Sequence, residues 1–121
     1  MVLINFYINL KNKVLFFESA AAGWTYLRDT PDQPFIIFCD VNLPAESGLE
    51  FKKKIDQHPV LKEKSIPFIF YSTSTDPRDV ASAYKEFTVQ GYFKKEPGLK
   101  EMQNSMKVIF DYWRLSRHPN S

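Results

Sequence analysis

Three residues of this chain have the types needed to handle a phosphoryl group: Asp40, Ser72 and Lys95. Each closes a short apolar run. Asp40 follows Phe35-Ile36-Ile37-Phe38-Cys39, Ser72 follows Phe68-Ile69-Phe70-Tyr71, and Lys95 lies just beyond the run from Val89 to Phe93. Apolar runs of this length, bounded by turn residues, read as buried strands. A carboxylate can attack phosphorus and form an acyl phosphate. A hydroxyl and an ammonium can then bind the phosphoryl oxygens. Burying an unpaired charge is costly, so Asp40 at a strand end either makes a structural hydrogen bond or does chemistry. Taken singly, each of the three is more often structural; together they form a signal.

The remaining elements must bring these ends together. Val14 to Phe17 reads as a strand, and Ser19 caps a helix from Ala20 to Arg28 with Trp24 and Leu27 on one face. Thr30 to Pro34 is a turn. Ser47 caps a helix to about Gln57, with Leu49 and Ile55 inward and the Lys52-Lys53-Lys54 run outward as a solvated face. Pro59 to Pro67 reads as a charged connection. Asp76-Pro77 opens a helix to about Glu86, with an acidic cap before proline at the first helical position. A last helix runs from about Leu99 to Leu115. Its stripe of Met102, Met106, Ile109, Phe110 and Trp113 reads as core packing. Strands alternating with helices imply an α/β fold: a doubly wound parallel sheet with helices on both faces. In such a sheet the strand ends share one edge, where ligands bind.

The length of 121 residues suits one domain over 1–121, and the 44% hydrophobic content supplies a core rather than disorder. The net charge of +2 is too small to argue for nucleic acid. A single cysteine, Cys39, permits no disulfide within the chain and reads as a small buried hydrophobe. Neither His58 nor His118 has neighbours that suggest a Cys-His pair. This usage fits a reducing cytosol, so a cytoplasmic location is expected. No apolar stretch approaches the ~20 residues of a membrane span. Residues 1–10 lack the basic start and cleavage site of a signal peptide.

The stretch D-V-N-L-P-A-E-S-G from Asp40 to Gly48, the strand P-F-I-F-Y-S-T and the segment G-Y-F-K-K resemble the response-regulator receiver family, over about residues 13–116. The resemblance implies a flavodoxin-like fold with Asp40 as phosphoacceptor and Ser72 as switch hydroxyl. Tyr92 would be the aromatic switch, Lys95 the conserved-position lysine, and Asn42 a metal ligand through its backbone carbonyl. It also implies a histidine kinase or phosphotransfer protein as donor. Output would pass through the fourth helix, fifth strand and fifth helix, in a signalling switch rather than an enzyme. The ending I-F-D-Y-W-R is similar to stand-alone receivers without an output domain, so no DNA-binding effector is expected.

The chain departs from the family in two places. The family begins with a strand, an acidic pair and a helix, where this chain has 13 residues and no acid before Glu18. That pair supplies magnesium ligands, and without it Mg2+ affinity at Asp40 and Asn42 should fall. An alternative is therefore a pseudo-receiver, an interaction module that is not phosphorylated; a third is an ordinary receiver with its first strand encoded upstream. Residues 2–10 can be a helix, with Leu3, Phe6, Tyr7 and Leu10 on one face. They can also be a strand with alternating faces. Family spacing favours the helix, which would open the middle of the sheet and leave backbone unpaired, unless a partner chain swaps in. Otherwise residues 2–8 are the missing strand, joined to Val14 by a short turn. After Lys95, Glu96 intervenes before Pro97, so the family's frequent cis-proline bond is not assumed. Lys94 competes with Lys95, but alternation from Tyr92 favours Lys95.

Overall fold

Val2–Ile8 form a strand, β1, and Lys11–Phe17 form β2. They pair antiparallel, with Ile4 opposite Leu15 and Phe6 opposite Lys13. The computed structural model describes residues 1–8, 11–73 and 76–119. The helix favoured for residues 2–10 is thus incorrect over 2–8, where the strand alternative holds; Asn9 and Leu10 lie outside the described residues. The physical reason is a period of two. Val2, Ile4 and Phe6 are buried on one face, while Leu3, Asn5 and Tyr7 lie on the other. A helix here would have left the backbone on both sides of the central slot without partners.

The chain continues through α1 (Ala20–Asp29), β3 (Ile36–Cys39), α2 (Gly48–Gln57), α3 (Pro59–Lys64), β4 (Phe68–Ser72), α4 (Pro77–Glu86), β5 (Gly91–Lys94) and α5 (Leu99–Leu115). The sheet order is β2-β1-β3-β4-β5. β3, β4 and β5 are parallel, but β1 runs antiparallel to both β2 and β3. The sheet is therefore mixed, which corrects the all-parallel expectation. A parallel neighbour needs a crossover of a dozen or more residues, and only two separate β1 from β2, enough for a hairpin. The strand order remains that of flavodoxin-like folds. β1 itself fills the slot, as in the alternative in which residues 2–8 are the missing strand, and no swapped chain is needed there.

Helices α1 to α4 cover one face, where Leu27, Phe51, Ile55, Leu61 and Ala83 meet Val2, Ile4, Ile37, Phe68 and Phe70. Helix α5 lies on the other, packing Met106, Ile109, Phe110 and Trp113 against Ile36, Phe38 and Ile69. Burial of side chains this size contributes roughly 1.5–3 kcal/mol each. The chain beyond α5 returns to the start of β3, where His118 stacks on Phe35 with ring centroids 4.4 Å apart. The helix starts follow local chemistry. Ser19 Oγ accepts from Ala22 N, Ser47 Oγ from Glu50 N and Asp76 from Arg78 N.

Two further expectations are corrected. The connection from Pro59 to Pro67 contains α3, with proline in its first turn, His58 Nδ1 accepting from Leu61 N, and Leu61 buried. Lys52 does not face solvent with Lys53 and Lys54. Its side chain is 4% exposed, with Nζ 2.8 Å from Asp56 Oδ1 and 5.0 Å from the Phe68 ring centroid. Burial lowers its pKa, and Asp56 opposes that shift. Among the described residues, no helix is long and apolar enough to cross a membrane.

Candidate functional site

All four residues of β3 are buried, so the chain reaches the sheet edge with Asp40 as its first polar side chain. The Asp40 side chain is 14% exposed and meets two cations on a single oxygen. Lys95 Nζ lies 3.2 Å from Oδ2 and the Met1 ammonium 3.3 Å from the same atom. Met1 is present because β1 runs backwards, which puts its first residue at the carboxyl end of β3. The Met1 carbonyl also accepts from Asp40 N at 2.9 Å.

Lys95 is held by its backbone as well. Its N–H donates to the Ser72 carbonyl at 2.7 Å, tying the residue after β5 to the last residue of β4. Ser72 is fully buried and lies opposite Lys94 in the β4–β5 register. Lys94 is exposed. Tyr92 pairs with Phe70, their ring centroids 5.8 Å apart, and packs against the main core. The remaining aromatics singled out from sequence divide: Tyr84 is 53% exposed and Phe87 half-buried. Ser74 lies outside the described residues.

The loop after Asp40 is closed on itself. Gly48 N donates to Val41 O at 2.6 Å, Asn42 and Ser47 form an isolated bridge, and Ala45 has a left-handed φ of 65°. Asn42 is exposed at the rim. Among the described residues no peptide bond is cis, including the one before Pro97. The Cys39 thiol, fully buried behind Asp40, is pushed well up by desolvation and does not offer a thiolate.

The sequence reading thus brings Asp40 and Lys95 into contact, with Ser72 joined to Lys95 through the backbone. Asn42 lies on the adjoining loop and Tyr92 packs one strand away. It missed Met1, because the direction of β1 is not written in its alternation. It also missed the buried Lys52–Asp56 pair, for which the four-residue spacing was the available signal. Magnesium wants near-octahedral oxygen donors, usually with carboxylates. Here the groups facing Asp40 are two ammoniums, and no group of three His, Cys, Asp or Glu residues gathers among the described residues. The donor set does not fit that ion.

Comparison with known proteins agrees with this architecture. The family model for the response regulator receiver domain matches residues 2–107. The phosphorylated cyanobacterial phytochrome response regulator RcpA is 27% identical with a TM-score of 0.77, over 87% of this chain and 77% of that one. The Mn2+-bound form of response regulator Rcp1 is 28% identical with a TM-score of 0.74, over 87% and 78%. A receiver domain from Rhodospirillum rubrum, 17% identical with a TM-score of 0.71 over 87% and 77%, shares the fold. No curated protein sequence matches. With its flavodoxin-like strand order and a family match across most of its length, this chain belongs to the response regulator receiver domain family of two-component signalling.

Proposed function

We propose that this receiver is a phosphoacceptor, with Asp40 taking a phosphoryl group from a histidine kinase or phosphotransfer protein. The observation that carries this reading is Lys95 Nζ, 3.2 Å from Asp40 Oδ2 at the edge where β3, β4 and β5 end. The Asp40 carboxylate attacks phosphorus. A P–O bond forms, the P–N bond of the donor breaks, and its electron pair leaves with the imidazole. Lys95 offsets the charge on the phosphoryl oxygens and the Ser72 hydroxyl donates to them. Tyr92, already packed inward, would follow Ser72 and bias the surface of α4, β5 and α5 between two states. The proposal includes a cytoplasmic, single-domain switch with no catalytic turnover of its own.

A second reading has its own observation. Two ammoniums lie against Asp40, and among the described residues no carboxylate pair adjoins it to hold a metal. This favours a constitutive module that binds partners without being phosphorylated.

Intact mass after incubation with acetyl phosphate, with magnesium or with EDTA, separates the two. A single phosphoryl adduct on wild type and none on Asp40→Asn supports the acceptor; persistence in EDTA would show that the ammoniums serve in place of a metal. A folded wild-type protein without adduct in either buffer removes the acceptor reading and leaves the constitutive one.

A further inference from the structure

At the end of the sheet away from Asp40, where β4 and β5 begin, a cavity of about 210 Å³ lies between α2, α3 and the segment before β5. Its lining includes Lys52, Asp56, Leu61, Lys62, Thr88 and Gln90. Two ammoniums stand against one carboxylate, so the lining carries one positive charge in excess. Its acceptors are already engaged. Asp56 Oδ1 lies 2.8 Å from Lys52 Nζ, and Asp56 Oδ2 accepts from Thr88 N at 3.2 Å. Gln90 Oε1 accepts from Phe68 N at 2.6 Å. Its donors are left over. An ammonium has three N–H groups, and Asp56 takes one from Lys52. Among the described residues, Lys62 forms no ion pair, and the Gln90 amide nitrogen and the Thr88 hydroxyl donate no hydrogen bond.

We propose that this cavity binds a small tetrahedral oxyanion of the phosphate type. A surplus of donors and one uncompensated positive charge select an anion rich in acceptors. The placement of the donors selects its shape. They come from three directions in the fold: Lys52 from α2, Lys62 from α3, and Thr88 with Gln90 from the chain leading into β5. A tetrahedral ion turns an oxygen toward each, whereas the two oxygens of a carboxylate point the same way. Volume sets the size. The space equals that of roughly seven waters and lies below the roughly 300 Å³ at which pockets for larger organic ligands begin. It admits a phosphate group and excludes a nucleotide.

Lys52 gives the site its depth. Its side chain is 4% exposed, and a buried N–H without an acceptor is costly. Burial first, and then the like charge of Lys62, lower the pKa of Lys52, while Asp56 opposes both. An anion held by the two ammoniums counters each effect. Water can accept from Lys52 but leaves the excess charge unanswered. Lys62 is exposed at the rim, so the ion has a route in from solvent. This inference does not depend on phosphorylation of Asp40, which lies at the other end of the strands.

The test titrates the full chain with inorganic phosphate, followed by amide shifts at constant ionic strength. Saturable shifts should appear at Leu61, Lys62, Thr88 and Gln90. Lys52→Met, which keeps the volume, should weaken binding at least tenfold, and Lys62→Ala, at an exposed position, about threefold. Lys53→Ala removes an exposed lysine of the same run and should change nothing. Glycerol phosphate distinguishes the sources: equal affinity assigns the phosphoryl end of an ester, and weaker affinity the free ion. Four results would overturn the proposal. They are shifts that never saturate, saturable shifts confined to Asp40 through Gly48, acetate binding as tightly as phosphate, or undiminished affinity in both Lys52→Met and Lys62→Ala.

Discussion

A Cβ on Gly48 would stand 2.0 Å from the carbonyl oxygen of Asp40. The first residue of α2 therefore lies directly on the backbone of the candidate acceptor, held there by the 2.6 Å bond from Gly48 N to Val41 O. Gly48→Ala must push α2 away from β3. It should cost about 1–3 kcal/mol in urea unfolding. It should also slow formation of the phosphoryl adduct more than an equal loss of stability elsewhere does. A change under about 0.5 kcal/mol would mean the loop yields easily and is not a rigid seat.

The ion pair between Lys52 and Asp56 makes opposite predictions for its two members. Asp56→Asn leaves a buried ammonium without its counter-charge and should destabilise by roughly 3 kcal/mol. Asp56 Oδ2 also accepts from Thr88 N at 3.2 Å, so the segment before β5 should loosen with it. Lys52→Met keeps the volume without the charge and should be neutral or stabilising. Chemical denaturation of both variants checks the contrast; equal losses would show that the ion pair itself, and not relief of a buried charge, sets the stability.

The same lysine sets an alkaline signature. Its folded pKa is lowered, mainly by burial. Between that value and the ordinary lysine value of about 10.4, the unfolded chain holds a proton that the folded chain lacks. Stability in that window rises with pH, relative to the Lys52→Met variant, which lacks the term. A difference between the two proteins that is flat with pH would refute it.

At the acid end a carboxylate gives the same sign of slope. The Asp76 carboxylate is held below its usual value, first by the Arg78 side chain and then by Arg78 N–H, as the cap of α4. That contribution is present above the ordinary aspartate value of about 3.9 and is lost as pH falls through the lowered one. Amide shifts at the start of α4 should therefore titrate at lower pH than a free aspartate, and Asp76→Asn should abolish the transition.

Asn5 gives a test of stability in the isolated domain. Asn5→Val removes a buried oxygen without a donor and installs a residue suited to a strand. It should raise stability by about 1 kcal/mol in thermal unfolding. A loss of that size instead would mean the Asn5–Asn12 bond is needed to hold the hairpin.

Much of the site could be read in advance because its signals are local. Apolar runs ending at Asp40 and Ser72 announce strands buried on both faces, and Ser47 or Asp76-Pro77 announces a helix start through a single hydrogen bond. The direction of β1 is different. Val2 to Ile8 alternates identically whichever way it runs, and only the two-residue link to β2 distinguishes a hairpin from a crossover. Lys52 was hidden for another reason: lysine in a run of three reads as solvated, and its burial depends on Phe68 and Asp56 meeting it across the fold.

The reversed first strand also decides where foreign sequence can be attached. Anything joined ahead of Val2 emerges beside Asp40, because the start of β1 pairs with the end of β3. A purification tag at that end would sit over the loop of the candidate acceptor Asp40 and disturb the Met1 contacts. The other end of the chain leaves α5 and is pinned by His118 against Phe35, at the start of β3 and the opposite edge of the sheet. A tag added there stays a full strand length from Asp40 and leaves that edge of the sheet open.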